Sequence, residues 1–314
     1  MTYEEGILSI PGQFGYQPEI LNKEKIRSFK KVVVLGMGGS RLAADIIHML
    51  IPELDLYIHS DYDLPLLSEE VLSNALIIAN SYSGNTDEVV SGAKLAIEKK
   101  LNLAVISTGG ELGKIASENQ VPHIALPNTE SSPRIMIGHD LIALIALTGL
   151  DLNTLETTRR IDAEVLRSQG IQIARQIGSG IPLIYTSERL NELGYIWKVI
   201  LNETAKIPAF SNRFPEADHN EIAGFRAPSS GFHCVFLRDE LDERLGRRMD
   251  LTAELFRSHE MLVAMVPLTG GSLIEQIISS LIVAHWTALE LAGMANIEPS
   301  VVSEIEHFKK QLHD

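Results

Sequence analysis

The stretch best equipped for chemistry is Ser81-Tyr82-Ser83-Gly84-Asn85-Thr86-Asp87-Glu88. It offers four hydroxyls and a glycine and contains no lysine or arginine. An anion bound there would be held by neutral donors: hydroxyls, backbone N–H groups and the positive end of a helix. That suits a single phosphate on a small molecule. An ATP-type loop would read G-x-x-x-x-G-K-[ST], with a lysine for the outer phosphates. The same residues also make an ordinary Ser/Asn turn ahead of an acidic helix start, and from the loop alone both readings stand. A second candidate is Gly36-Met37-Gly38-Gly39-Ser40. It resembles a dinucleotide fingerprint, but the third glycine position is Arg41, where close helix-to-strand packing wants no large side chain.

These loops need elements to hold them. Ala75-Leu76-Ile77-Ile78-Ala79 ahead of the hydroxyl loop predicts a buried strand, and Val89, Val90, Ala93, Leu95, Ala96 and Ile97 beyond it predict an amphipathic helix. Residues 31–35, 56–59 and 103–107 repeat the strand pattern, with helical segments between them. Alternating strands and helices imply an α/β fold with a parallel, doubly wound sheet. Three strands run into Gly/Ser/Thr-rich loops at 36–40, 81–86 and 107–110. Ligands in such sheets sit outside the carboxyl ends of the strands, so the three loops can meet at one pocket. A further edge strand is expected at 124–127, then Pro133-Arg134 and an apolar helix through Ala146. A polar stretch, 151–168, separates this half from a second one that starts the pattern again: a strand at 181–186, a helix through Asn202, an irregular segment from 205 to 230, strands at 233–237 and 261–266, and helices at about 240–258, 272–292 and from Pro299. Domains of 1–152, including an N-terminal arm read as packing only, and 153–314 are expected.

The chain has 314 residues, 45% of them hydrophobic, with a formal charge of −14 and one cysteine. That is ample for two cores. The acidic balance argues against nucleic acid as a partner, since phosphate backbones are met with Lys and Arg. It leaves room for a small anionic substrate held by a local field. No apolar run has the length and freedom from polar residues of a membrane span, so no membrane partner is expected. With the acidic start Met1-Thr2-Tyr3-Glu4-Glu5 and a lone Cys234 in an apolar run, a cytoplasmic protein without disulfides is expected.

Taken together, Gly38-Gly39-Ser40, Ser81-Tyr82-Ser83-Gly84-Asn85-Thr86, Pro133-Arg134, Leu201-Asn202-Glu203-Thr204-Ala205-Lys206 and Pro215-Glu216-Ala217-Asp218-His219-Asn220-Glu221 resemble the sugar isomerase (SIS) family, and within it the bifunctional phosphoglucose/phosphomannose isomerases. The resemblance spans nearly the whole chain and implies two tandem SIS domains, each a mostly parallel sheet flanked by helices. Many sugar-phosphate binders share the hydroxyl loop; its occurrence in order with the 201–206 and 215–221 stretches is more specific.

What the resemblance implies is an aldose-ketose isomerase acting on glucose 6-phosphate and mannose 6-phosphate, with no cofactor and no metal. Ser40, Ser81, Ser83 and Thr86 would hold the phosphate, with Gly38 and Gly39 as backbone cradle. Moving hydrogen between C1 and C2 needs one base near both carbons, and Glu203 matches the family's base. Cyclic sugars need a proton shuttle for ring opening, which a histidine suits; His219 matches, supplied across a homodimer interface. Arg134 matches the arginine that meets enediolate charge. Lys309 matches a C-terminal active-site lysine, with Lys310 adjacent, and Ser300 and Ser303 are the hydroxyls near the position that lets C2 epimers share one intermediate. A sugar-phosphate sensor that binds without reacting is the rival reading; it would need neither Glu203 nor His219.

Overall fold

The computed structural model describes the chain except residues 130–131, 152–154, 226–230, 240–241 and 312–314, and the side chains at 305, 306, 309 and 310. The chain divides into two compact units: Met1 with Ser9–Ile161, and Thr2–Leu8 with Asp162–Asp314. The domain limit expected at 152/153 falls among residues outside the described ones. Thr2–Leu8, expected as part of an arm on the first half, belong with the second, where Glu4 pairs with Arg167 at 2.8 Å.

The first unit is built on a five-stranded parallel sheet in the order β2-β1-β3-β4-β5, with β1 Lys31–Leu35, β2 Leu56–His59, β3 Ala75–Asn80, β4 Asn102–Ser107 and β5 His123–Ala125. β3 and β4 are buried throughout, and β1 beyond its first residue, as continuous apolar strands must be when helices cover both faces. Helices Asp87–Glu98 and Gly110–Asn119 bury one face through Val89, Ala93, Leu112 and Ile115. β2 is half-buried along its length, as an edge strand.

The second unit repeats the plan with four parallel strands in the order β7-β6-β8-β9: β6 Ile181–Ser187, β7 Phe210–Phe214, β8 Phe232–Arg238 and β9 Leu262–Pro267. Strand β7 lies where the sequence pattern predicts only an irregular segment, 205–230. Its residues, Phe-Ser-Asn-Arg-Phe, lie at the sheet edge with only Phe214 buried, so the apolar run that signals a central strand is missing. The core gathers Tyr185, Phe214, Phe236, Met249 and Phe256 around Cys234, whose thiol burial pushes up to about 12. Among the described residues one helix, Leu273–Met294, is long and apolar enough to cross a membrane; 78% of its most apolar window is buried in the protein, packed on helix Arg167–Ile177.

Candidate active site

In the first unit the strand order reverses between β1 and β3, the place where open α/β sheets hold ligands. The loop after β1 and the loop after β3 are tied there. Tyr82 N–H donates to Ser40 Oγ at 2.9 Å, and Asn80 Nδ2 donates to the Ser40 carbonyl at 2.7 Å. Ser83 Oγ accepts from Asn85 N–H at 3.2 Å, while Ser81 Oγ and Thr86 Oγ1 share a hydrogen bond of 2.8 Å. The hydroxyls of Ser40 and Ser83 thus accept from the backbone and keep their own protons for a ligand. Thr86 opens helix Asp87–Glu98, but its side chain makes no cap, which leaves the positive helix end to the loop.

The third Gly/Ser/Thr loop fixes the shape of the second. Thr108 donates to the Tyr82 carbonyl from both N–H and Oγ1 at 2.8 Å, Leu112 N–H donates to the Gly84 carbonyl at 2.9 Å, and Glu111 N–H to Asn85 Oδ1 at 2.9 Å. Gly84 has φ +70°, and a Cβ there would lie 1.9 Å from the Gly109 carbonyl oxygen, so only glycine lets these loops close on each other. The Tyr82 hydroxyl is turned to the Pro127 carbonyl, 3.3 Å away, into packing as its neighbours hold the hydroxyl face.

Gly39 serves a different neighbour from a dinucleotide. A Cβ on it would come within 2.9 Å of both Pro133 Cβ and Arg134 N, so the glycine admits the turn Pro133–Ile135 against the first loop. Arg41, at the third glycine position, pairs with Asp45 at 3.1 Å. Arg134 is buried, at 1% exposure, rather than a surface arginine. Beneath the loops lies a pair that the motifs do not announce. Asn80 Nδ2 also donates to Asp140 Oδ1 and Oδ2 at 2.8 and 3.0 Å, and burial pushes the Asp140 carboxyl up from its ordinary 3.8 to about 7 against the pull of that hydrogen bond. One signal could have found it: a lone acid inside the apolar helix Ile137–Thr148.

In the second unit, helix Asn191–Ile200 runs straight into a π-helical stretch, Leu201–Ala205, closed by Lys206 at φ 57°. Glu203, expected at an ordinary helix end, sits in this widened turn and is half-buried. Such turns recur at functional sites because they re-aim a side chain. Lys206 Nζ donates to the Glu203 carbonyl, and Asn202 Nδ2 to the Ile207 carbonyl at 2.8 Å.

His219 closes the short helix Glu216–His219 and is exposed. Its neighbour Asp218 is anchored by Arg248 and Thr252, each at 2.9 Å. His219 lines a pocket of about 340 Å³ with Asp218, Asn220, Ile222, Ala223, Leu255 and His259. Glu203 does not line it. Glu221 accepts from the Tyr185 hydroxyl at 2.5 Å and from Asn212 Nδ2; burial foremost, and this bond next, raise the Tyr185 phenol. Lys309 and Lys310 lie on the last helix, Ser303–Gln311, but their side chains are outside the described ones. Ser300 and Ser303 flank the start of that helix, where the Ser303 hydroxyl donates to Glu304 at 3.0 Å. The Glu304 carboxyl is held low by its own backbone N–H and by Ser303, with Lys206 adding to the effect.

A family model of the bacterial phospho-glucose isomerase C-terminal SIS domain matches residues 167–312. The chain is 31% identical to a bifunctional phosphoglucose/phosphomannose isomerase of Thermoplasma acidophilum, over 91% of this chain and 90% of that protein. It is 28% identical to the protein of the same description from Thermoplasma volcanium, over 99% and 100%. The fold is that of a solved putative phosphosugar isomerase from Clostridium difficile 630, with a TM-score of 0.74 at 15% identity over 99% of this chain and 98% of that one.

Proposed function

The chain belongs to the bifunctional phosphoglucose/phosphomannose isomerase family, and on that premise we propose that it interconverts glucose 6-phosphate and mannose 6-phosphate with fructose 6-phosphate through a cis-enediol(ate). The observation that carries this reading is the uncharged cradle at the β1/β3 reversal, where Ser40 and Tyr82 N–H are joined at 2.9 Å. Hydroxyls that keep a proton to donate suit a phosphate monoester and leave the sugar end free to react.

Glu203 takes the proton from one carbon and returns it to the other. One carboxylate serves both directions because C1 and C2 are adjacent and the intermediate is planar between them. His219 moves the proton between the ring oxygen and the anomeric hydroxyl, so that the cyclic substrate opens before the base acts. Lys309 offsets the negative charge that develops on the enediolate oxygens; Arg134, buried against Gly39, adds to it through its field rather than by contact. The protein works as a homodimer in which the partner subunit's His219 completes the site, as the resemblance to the family implies. The scheme uses carboxylate, imidazole and fixed donors for every step and has no task for a metal. A cytoplasmic place in sugar-phosphate metabolism follows from the substrate.

The test is a coupled assay with glucose 6-phosphate and mannose 6-phosphate in turn, with and without a chelator. Turnover of both, unchanged by the chelator, is expected. No turnover of either sugar would reject the reading in favour of binding without reaction.

A further inference from the structure

The side chain next to Glu203 is held from a distant part of the sequence. Thr204, at 0% exposure, lies in the π-helical stretch. Its Oγ1 is 2.7 Å from the Tyr3 hydroxyl, and the same hydroxyl is 2.8 Å from His285 Nδ1. Tyr3 is 6% exposed and His285, in the middle of helix Leu273–Met294, is 0% exposed. Three polar side chains from three segments are thus buried in one chain of hydrogen bonds.

Such a chain is not the cheapest way to fill a core. Phenylalanine, valine and leucine would pack the same space without removing polar groups from water. What the chain adds is direction. A phenol has one proton, so Tyr3 donates to at most one of these two partners and accepts from at least one, and the Thr204 hydroxyl is held at a fixed point. A widened turn relaxes to ordinary α-helix by a one-residue shift of register, which turns a side chain by about 100° around the axis. Pinning Thr204 blocks that shift on the buried side, while Lys206 holds the Glu203 carbonyl on the other.

We propose that Tyr3 and His285 are positioning residues for the isomerisation, holding the widened turn open through Thr204 and so aiming the Glu203 carboxylate. This rests on Glu203 being the base. Neither residue touches substrate.

The test compares Tyr3→Phe, Thr204→Val and Thr204→Ser with the unaltered protein, using glucose 6-phosphate deuterated at C2. Measured are kcat, KM, Tm and the share of deuterium transferred to C1 rather than lost to solvent. Tyr3→Phe and Thr204→Val should lower kcat about tenfold, leave KM within about twofold, and shift the partition toward loss, because a misaimed base exchanges before it returns the label. Thr204→Ser, which keeps the hydroxyl, should restore both. A purely structural role would lower Tm and leave kcat and the partition of the folded enzyme unchanged, and that result overturns the inference. If Tyr3→Phe does not fold, the Thr204→Val and Thr204→Ser pair decides alone. Glu203→Gln is run in parallel. If it still turns over, the base assignment fails and the inference with it; if it is inert while Tyr3→Phe and Thr204→Val behave as the unaltered protein, the inference fails by itself.

Discussion

Replacing Asp140 by asparagine should make the protein's stability depend less on pH, and the size of the change can be worked from the Asp140–Asn80 pair. Asp140 is 5% exposed, and burial raises its carboxyl from 3.8 to about 7. A proton held about three decades more tightly, at about 1.4 kcal/mol per decade, amounts to about 4 kcal/mol. The sign follows from the direction. The folded state binds this proton more tightly than the unfolded one, so the stabilisation is whole below about pH 4 and is lost as pH rises through about 7. Above that, the native protein carries an ionised carboxylate in a buried place. Asparagine has no proton to lose and can still accept from Asn80 Nδ2. The difference in unfolding free energy between Asp140→Asn and the unaltered protein should therefore move in favour of the variant by up to about 4 kcal/mol between about pH 4 and about pH 8. Urea unfolding of both proteins across that range measures it, and using the difference cancels every other titrating group. Parallel curves would show that Asp140 titrates as an ordinary carboxylate and that the pair below Ser40 is not desolvated as described.

Other consequences concern the loops and the assembly. Ser83→Ala removes one donor from the cradle without disturbing a buried contact, so KM for fructose 6-phosphate should rise about tenfold with little change in kcat; equal losses in both would place Ser83 elsewhere. Gly84→Ala puts a methyl where the Gly109 carbonyl lies at 1.9 Å and should weaken substrate binding and lower Tm together, whereas a variant like the native protein would mean that the loops are not closed on each other. Inactive Glu203→Gln and His219→Ala chains, mixed under conditions of confirmed subunit exchange, should recover about a quarter of native activity, because random pairing leaves one intact site in half of the dimers. No recovery would contradict a shared site.

Much of this architecture is written in the residue types. Strands β1, β3 and β4 announce themselves because both of their faces are covered, so nearly every residue is apolar. The hydroxyl loop is legible because its Ser, Gly, Asn and Thr residues between an apolar strand and an amphipathic helix mark a turn, and Gly84 because two backbones touch. What the residue types do not show is set by partners far along the chain. Phe210–Phe214 pairs as an edge strand with β6, which its polar residues do not signal. Tyr3 looks like an arm residue until Thr204 and His285 surround it. The widened turn at Leu201–Ala205 leaves no trace in residue types, since the register that makes it comes from packing. Arg134 could be placed in a turn but not inside, because its burial depends on Gly39 coming close. The part assigned to Glu203 comes from resemblance; its residue type and position alone describe an ordinary helix-end glutamate.

The measurement that bears most directly on the central claim is exchange of the C2 hydrogen with solvent in Glu203→Gln, followed with glucose 6-phosphate deuterated at C2, alongside calorimetric binding of fructose 6-phosphate. The account predicts exchange slowed on the order of a thousandfold or more with binding retained, since the substitution leaves the proposed phosphate cradle of Ser40, Ser81, Ser83 and Thr86 untouched. Exchange at the native rate would contradict it.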